Sequence, residues 1–193
     1  MSSNDKVEIR SVDVTTELPV FICDLSPIQA QLNLAREAID ELRISHPQSP
    51  ESNVKATYMS PWHSHLLNPK LVPLTQSVIT IAREVSKSHL SANLEALNMD
   101  LVVTDCWGII YDQASYTQRH NHFPSEFACS IYLEAHENSA PIIFSGKLNI
   151  KPKPNMLVLF PGILMHEVPA TAGRRVVVAM NLNKRAVFEG INK

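Results

Sequence analysis

Two histidines one residue apart, His120 and His122, and a third far along the chain, His166, are the residues of this sequence best suited to hold a metal ion. In a β-strand, residues i and i+2 project to the same side, so two imidazoles at that spacing reach one ion without distorting the backbone. A distal histidine from a neighbouring strand completes a three-cornered facial cap, leaving the opposite positions open for a chelating substrate and for dioxygen. Imidazole suits iron, zinc, copper and nickel alike, so the ligands alone leave the metal open. A second pair with the same spacing, His63 and His65, precedes a helix in the N-terminal half and has no strand context or companion basic residue. It reads as two surface histidines.

The run from Lys151, KPKPNMLVLFPGILMHEVPATAGRRVVVAMNL, adds a second element. An apolar strand leads through Phe160 and Pro161 to His166, and another follows Arg174 and Arg175. Along RRVVVAMN, Arg175, Val177, Ala179 and Asn181 alternate onto one face, while Arg174, Val176, Val178 and Met180 take the other. One arginine is therefore expected to point inward. A buried cation without a partner is expensive, so an inward arginine calls for an anion, and a planar guanidinium holds a carboxylate in a two-pronged grip. The plain alternative leaves both arginines in solvent at the strand edge.

The elements that must position these residues follow from periodicity. A first strand is expected over residues 7–14. Ser26 as a cap, Pro27 in the first turn and the stripe Ile28, Leu32, Leu34, Ala35, Ile39 and Leu42 predict a helix ending near Ser45. A second helix is expected from Asn68 and Pro69 to about Ser91, carrying Leu71, Leu74, Val78, Ile81, Ala82, Val85 and Leu90. From Leu101 the texture changes to short β-branched and aromatic runs bounded by Pro, Asn, Ser and Gly. Strands are placed at 101–111, 115–121, 127–134, 141–144, 147–151, 156–160, 164–168 and 174–182. Eight strands after two helices predict a mainly β fold, a double-stranded β-helix of the jelly-roll, cupin-like kind buttressed by the two helices. One domain is expected over 1–193, with residues 1–100 as N-terminal strand and supporting helices and 101–183 as the jelly-roll core.

Seventeen Lys and Arg against nineteen Asp and Glu give a formal charge of −2, so no field draws the chain to a polyanion: no nucleic acid partner is expected. The opening MSSNDKVEIR is polar, and no apolar run is long enough to span a bilayer, so no membrane partner is expected. Cys23, Cys106 and Cys129 form no CxxC pair, which fits a reducing, cytoplasmic setting. Cys129, close in sequence to the histidine pair, reads as a small core residue. The segment Thr57 to Leu67, with Trp62 and two histidines, reads as a loop packed on the second helix, with a lid or substrate wall as its other use. Helix faces outside the barrel leave room for a homodimer.

From Trp107 to Asn181 the chain resembles the 2-oxoglutarate- and iron(II)-dependent oxygenase superfamily, in particular its bacterial and phage prolyl-hydroxylase-like group. Trp107 and Tyr111, then HNHFPSEFACSIYL, look like that group's tryptophan, its HxH and the strand behind it, and LFPGILMHEVP resembles its distal-histidine segment. The final arginine and the asparagine six residues later fall at Arg175 and Asn181. The resemblance implies iron(II) held by His120, His122 and His166, Arg175 on the far carboxylate of 2-oxoglutarate, and Tyr132 and Asn181 as further cosubstrate contacts. It implies dioxygen as co-reactant and hydroxylation of a small molecule or peptide. Most of the superfamily has a carboxylate where His122 stands, and the group's usual glycines appear here as Ala114, Cys129 and Asn155. Three neutral imidazoles leave the charge of iron(II) uncompensated, so redox tuning should differ.

Two other readings stay open. HNHFPSE also fits a cupin-like pattern in which Glu126 joins His120, His122 and His166 as a fourth ligand of a metal-dependent dioxygenase or isomerase, although the flanking glycines are missing. A non-catalytic jelly-roll binding protein, its histidines serving polar contacts, is the other.

Overall fold

The computed structural model describes residues 9–12, 16–90 and 93–187. Its strands form two antiparallel sheets that face one another. The larger has the order β1 (Phe21–Asp24), β9 (Met156–Pro161), β6 (Phe127–Ala135), β11 (Arg175–Ala186), β4 (Met99–Tyr111) and β3 (Tyr58–Met59). The smaller has the order β2 (Val54–Lys55), β5 (Tyr116–His120), β10 (His166–Val168), β7 (Ile142–Phe144) and β8 (Leu148–Ile150). This is the expected jelly roll, and each of the eight strands expected after Leu101 is present, β11 running four residues beyond its expected end.

Strand alternation divides the core in two. Val176, Val178 and Met180 of β11 join Cys106, Ile110, Cys129 and Ile131 on the outer face of the larger sheet. There they meet Leu32, Ala35, Ile39 and Leu42 of α1 (Gln29–Ser45) and Leu74, Val78, Ala82 and Val85 of α3 (Val72–His89). Burying such apolar stripes, at roughly 1.5–3 kcal/mol for each large side chain, is what fixes the helices on the sheet. Gly108 lets α1 approach, since a Cβ there would fall 1.9 Å from Ile39 Cδ1. Cys129 is buried among these residues, a core position as expected. The opposite parity, Val177, Ala179, Trp107, Ile109 and Tyr111, faces the second sheet and packs against Ile142, Phe144, Ile150 and Val168.

Three expectations need correction. The strand expected over 7–14 is not formed across residues 9–12, and the rest of that span lies outside the described residues. Ile9 and Val12 are 89% and 86% exposed, with no apolar surface to cover them, and the first strand among the described residues is β1. Ser26 does not cap the first helix, whose start has no side-chain cap: it opens a 3₁₀ turn over Ser26–Ile28, with Asp24 accepting from Ser26 N at 3.0 Å and Ser26 Oγ at 2.5 Å just before it. The second helix likewise starts with a 3₁₀ turn, Pro69–Leu71, and ends at His89, Ser91 lying outside the described residues. Among the described residues no helix is long and apolar enough to cross a membrane.

Candidate metal centre and its cavity

β10 sits between β5 and β7, and its first residue, His166, stands directly opposite His120. Two residues along β10 the partner of Val168 is Thr117, so β5 carries one extra residue over the same span. That bulge puts Thr117 and His120, three apart, on one face, where a regular strand would send them to opposite faces. His122 is not in a strand at all: β5 ends at His120. Its position is set by main chain, with His122 N donating to Gly162 O at 2.7 Å and Ser125 N closing a turn on His122 O at 2.8 Å. The two-residue spacing therefore brings the pair together through a strand end and a turn, rather than through the pleat expected from the sequence.

The three rings converge. Their centroids lie 4.9 Å apart for His120 and His122, 4.2 Å for His120 and His166 and 5.1 Å for His122 and His166. One ligand atom from each lies within 4.8 Å of the others. His120 Nδ1 bonds Gln118 O at 2.8 Å and His166 Nδ1 bonds Leu164 O at 3.0 Å. A carbonyl accepts only from a protonated nitrogen, so both rings hold their proton on Nδ1 and turn the Nε2 lone pair to the cluster. Phe160 packs edge-on against His166 with Phe144 tilted beside it, and Trp107 and Phe160 flank His122. Burial pushes all three imidazoles below the ordinary histidine value of 6.5. His120 goes down against the opposing Gln118 carbonyl, His122 falls to about 4 with His120 adding, and His166 falls to about 3 with its two neighbours adding. Three neutral imidazoles at this spacing are a donor set for a borderline divalent ion such as iron(II).

A cavity of about 480 Å³ opens on the histidines, bounded by Trp62, Trp107, Tyr111, Ile142 and Val168 and, at its outer end, by Asp105, Asn181 and Phe123. Arg175 is the inward arginine and is 1% exposed. Its Cζ lies 4.1 Å from the centroid of Tyr111, which lines the cavity, so the guanidinium stands one side chain behind the cavity floor. Nη1 donates to Ala140 O at 2.8 Å, but Nε is buried without an acceptor. Such a group fits an anion that is not part of the chain. Arg174 faces the other way, to Asp112 at 2.8 Å and Glu134 at 3.2 Å. Tyr132 is buried with Arg175 on the inner face. Burial pushes its hydroxyl up to about 12, the Arg175 charge opposing and Tyr111 adding. Asn181 lies six residues along β11 from Arg175, roughly 20 Å at strand rise, and donates to Asp105 at 3.1 Å. The structure thus brings Tyr132 to Arg175 but takes Asn181 to the cavity mouth.

Glu126, the fourth ligand of the cupin reading, is turned away: its carboxylate pairs with Lys184 at 2.7 Å, and the convergent group contains only the three histidines among the described residues. His63 and His65 form no such group. They sit at the start of α2 (Ser64–Leu67), where His63 Nε2 lies 3.4 Å from Asp105 and His65 Nδ1 is buried without a partner. The segment around them runs as a ribbon along β4, through Ser60 N to Gly108 O and Cys106 N to Trp62 O, and this makes Trp62 a wall of the cavity. Asp105, Thr104 and Asn53 also line it and escaped the sequence reading. The signal available for Asp105 was parity, since it shares its face of β4 with Trp107, Ile109 and Tyr111.

The same fold recurs in solved structures. A prolyl-4-hydroxylase from Pseudomonas putida matches over 86% of this chain and 92% of its own, at 13% identity and a TM-score of 0.59. A prolyl hydroxylase from Trichoplax adhaerens, solved with a hypoxia inducible factor oxygen degradation domain peptide fragment, matches over 85% and 83%, at 14% identity and 0.60. A non-haem alpha-ketoglutarate-dependent carbocyclase from nogalamycin biosynthesis matches over 91% and 84%, at 10% identity and 0.66. No protein-family model and no curated protein matches the sequence.

Proposed function

We propose that the chain is a 2-oxoglutarate- and iron(II)-dependent dioxygenase that hydroxylates an unactivated C–H bond of a small-molecule or peptide substrate. One observation carries this reading: a single barrel interior holds both three convergent neutral imidazoles and a buried arginine whose Nε has no acceptor. His120, His122 and His166 would hold iron(II), and Arg175, with Tyr132 beside it, would receive the far carboxylate of 2-oxoglutarate. When bound, iron and 2-oxoglutarate supply the oxidising power drawn from dioxygen, which no side chain here can provide. The chain contributes position and environment. The Nδ1 bonds of His120 and His166 fix ring orientation and tautomer, as partners of metal-ligating histidines do. Phe144, Phe160 and Val168 keep water from the inner end, where a charge-assisted contact from Arg175 gains strength. The shared fold of the hydroxylases and the carbocyclase supports the reading.

The test is anaerobic titration of the iron(II)-loaded protein with 2-oxoglutarate, following the visible metal-to-ligand charge-transfer band. His166→Ala should abolish the band. Arg175→Ala should raise the half-saturating 2-oxoglutarate by about 10- to 100-fold, the worth of a lost charged hydrogen bond at roughly 1.5–3 kcal/mol. Bound iron without a band in the wild type would sink the proposal.

A further inference from the structure

The end of the cavity away from Arg175 has polar chemistry of its own that the cofactor side does not use. Asn181 of β11 stands opposite Asp105 of β4, and the next residue, Leu182, stands opposite Val103, so Thr104 is the extra residue of a second bulge. Thr104, Asp105, Asn181 and Asn183 consequently all front the cavity. Thr104 Oγ1 donates to Asp105 Oδ2 at 3.0 Å, Asn181 Nδ2 donates to the same oxygen at 3.1 Å, and Asn183 Nδ2 donates to Thr104 Oγ1 at 2.8 Å. The carboxylate is thus fixed through Oδ2. Near Oδ1 stands His63, its Nε2 3.4 Å away on a side chain 60% exposed.

Two further atoms here lack partners. Asn181 Oδ1, an acceptor, is buried with nothing to accept from, and Trp107 Nε1, a donor on a residue 3% exposed, has nothing to donate to. Asp105 is the one carboxylate among the described lining residues, and no Lys or Arg is among them. Asp105 Oδ1 and Asn181 Oδ1 therefore offer acceptors on a wall that carries negative charge. An ammonium group, three donors and no acceptor, is the complement. Trp107 Nε1 suits a carbonyl or carboxylate oxygen of the same molecule.

We infer that Asp105, held by Thr104 and Asn181, is the substrate-orienting residue of this cavity and takes a substrate bearing an ammonium nitrogen. The inference rests on reading the cavity as the active site of the proposed oxygenase, and it supplies the substrate class that reading leaves open. The ammonium comes either from an amine-bearing side chain or from the α-amino end of an amino acid or peptide.

Trp62 and Trp107 are the two tryptophans of the chain and both line the cavity, so intrinsic fluorescence reports occupancy without turnover. The probes are two pairs differing in one charge: Nα-acetyl-lysine against Nα,Nε-diacetyl-lysine, and alanyl-alanine against its N-acetyl form. They are titrated into the full chain with and without iron(II), under anaerobic conditions. The ammonium-bearing member of at least one pair should bind about tenfold more tightly, as expected of a charge-assisted hydrogen bond, and the pair that discriminates identifies the source of the ammonium. Asp105→Asn should abolish the difference; should that variant fail to fold, Asn181→Leu should weaken the ammonium-bearing probe and spare the acetylated one. Equal binding within both pairs, no response to any probe, or a preference that survives Asp105→Asn would overturn the inference. The 2-oxoglutarate band, read on the same wild-type protein, separates the two failures. Discrimination without a band keeps the amine site and loses the oxygenase, and a band without discrimination does the reverse.

Discussion

Gly162→Ala places a methyl group where the backbone of Ser125 already stands. A Cβ at position 162 would fall 2.1 Å from Ser125 O and 2.8 Å from Ser125 C. The two segments must therefore part by about 1 Å to reach even a tight non-bonded separation. The obstacle is main chain, so no rotamer change relieves it. Ser125 N bonds His122 O, and His122 N bonds Gly162 O, so the parted segment is the one that holds His122. Metal sites accept deviations of about 0.2 Å in ligand distance. A displacement several times larger should lower metal affinity about 10- to 100-fold, the effect usual for losing support around a ligand. Overpacking should also cost about 1–3 kcal/mol of stability. The assay is competition for iron(II) against a chromophoric chelator, with urea unfolding of the metal-free protein to separate affinity from folding. Gly146→Ala is the control: its φ of +67° disfavours alanine, but nothing lies within 4 Å of the added Cβ. It should lose about 1–2 kcal/mol of stability and keep its metal affinity. A folded Gly162→Ala protein with wild-type metal affinity would refute the reasoning, because the His122 turn could then slide without moving the ligand.

Other expectations follow from the same geometry. Glu126→Gln should leave metal affinity unchanged in the chelator competition, because its carboxylate pairs with Lys184; a loss of tenfold or more would restore the four-ligand reading. Ala114→Gly should raise the urea midpoint, gaining about 1 kcal/mol, because Ala114 sits at a φ of +67° that glycine adopts without strain. Glu134 lies below the ordinary carboxylate range: burial opposes this, but the Arg36 hydrogen bond and the charges of Arg36, Arg174 and His136 prevail. A depressed folded-state pKa contributes stability that is present above the unfolded value, about 4.3, and lost as pH falls through the folded one. The stability difference between wild type and Glu134→Gln, measured by urea unfolding, should be widest near neutrality and close in acid.

Strand content was legible because β11, β6 and β9 alternate regularly between two buried faces, and the parity of RRVVVAMN required one inward arginine, which is Arg175. The three histidines that converge were legible as residues, but their geometry was not. His120 and His122 meet because β5 bulges and then ends, and a bulge leaves no mark in residue type. Asn181 shares a face with Arg175, yet parity carries no information about distance along the strand, and it belongs with Asp105 at the other end. Trp62 became a cavity wall through main-chain bonds to β4 that depend on no side-chain pattern. Residues 9–12 show the converse: alternation without a surface to cover produced no strand.

The bulge in β5 makes the centre depend on counting as much as on chemistry. Thr117 and His120 face inward together only because three residues of β5 span two of β10. Straightening that bulge at the present length would leave every ligand in the sequence and yet turn His120 or Thr117 to the outer face, whereas removing Gln118 or Arg119 would put the two residues two apart and keep both facing inward in a regular pleat. A homologue one residue shorter between these positions could keep His120 facing inward with no bulge at all, and one of the same length needs the bulge to do so. The bulge is a part of the candidate metal centre that a comparison of residue identities alone would miss.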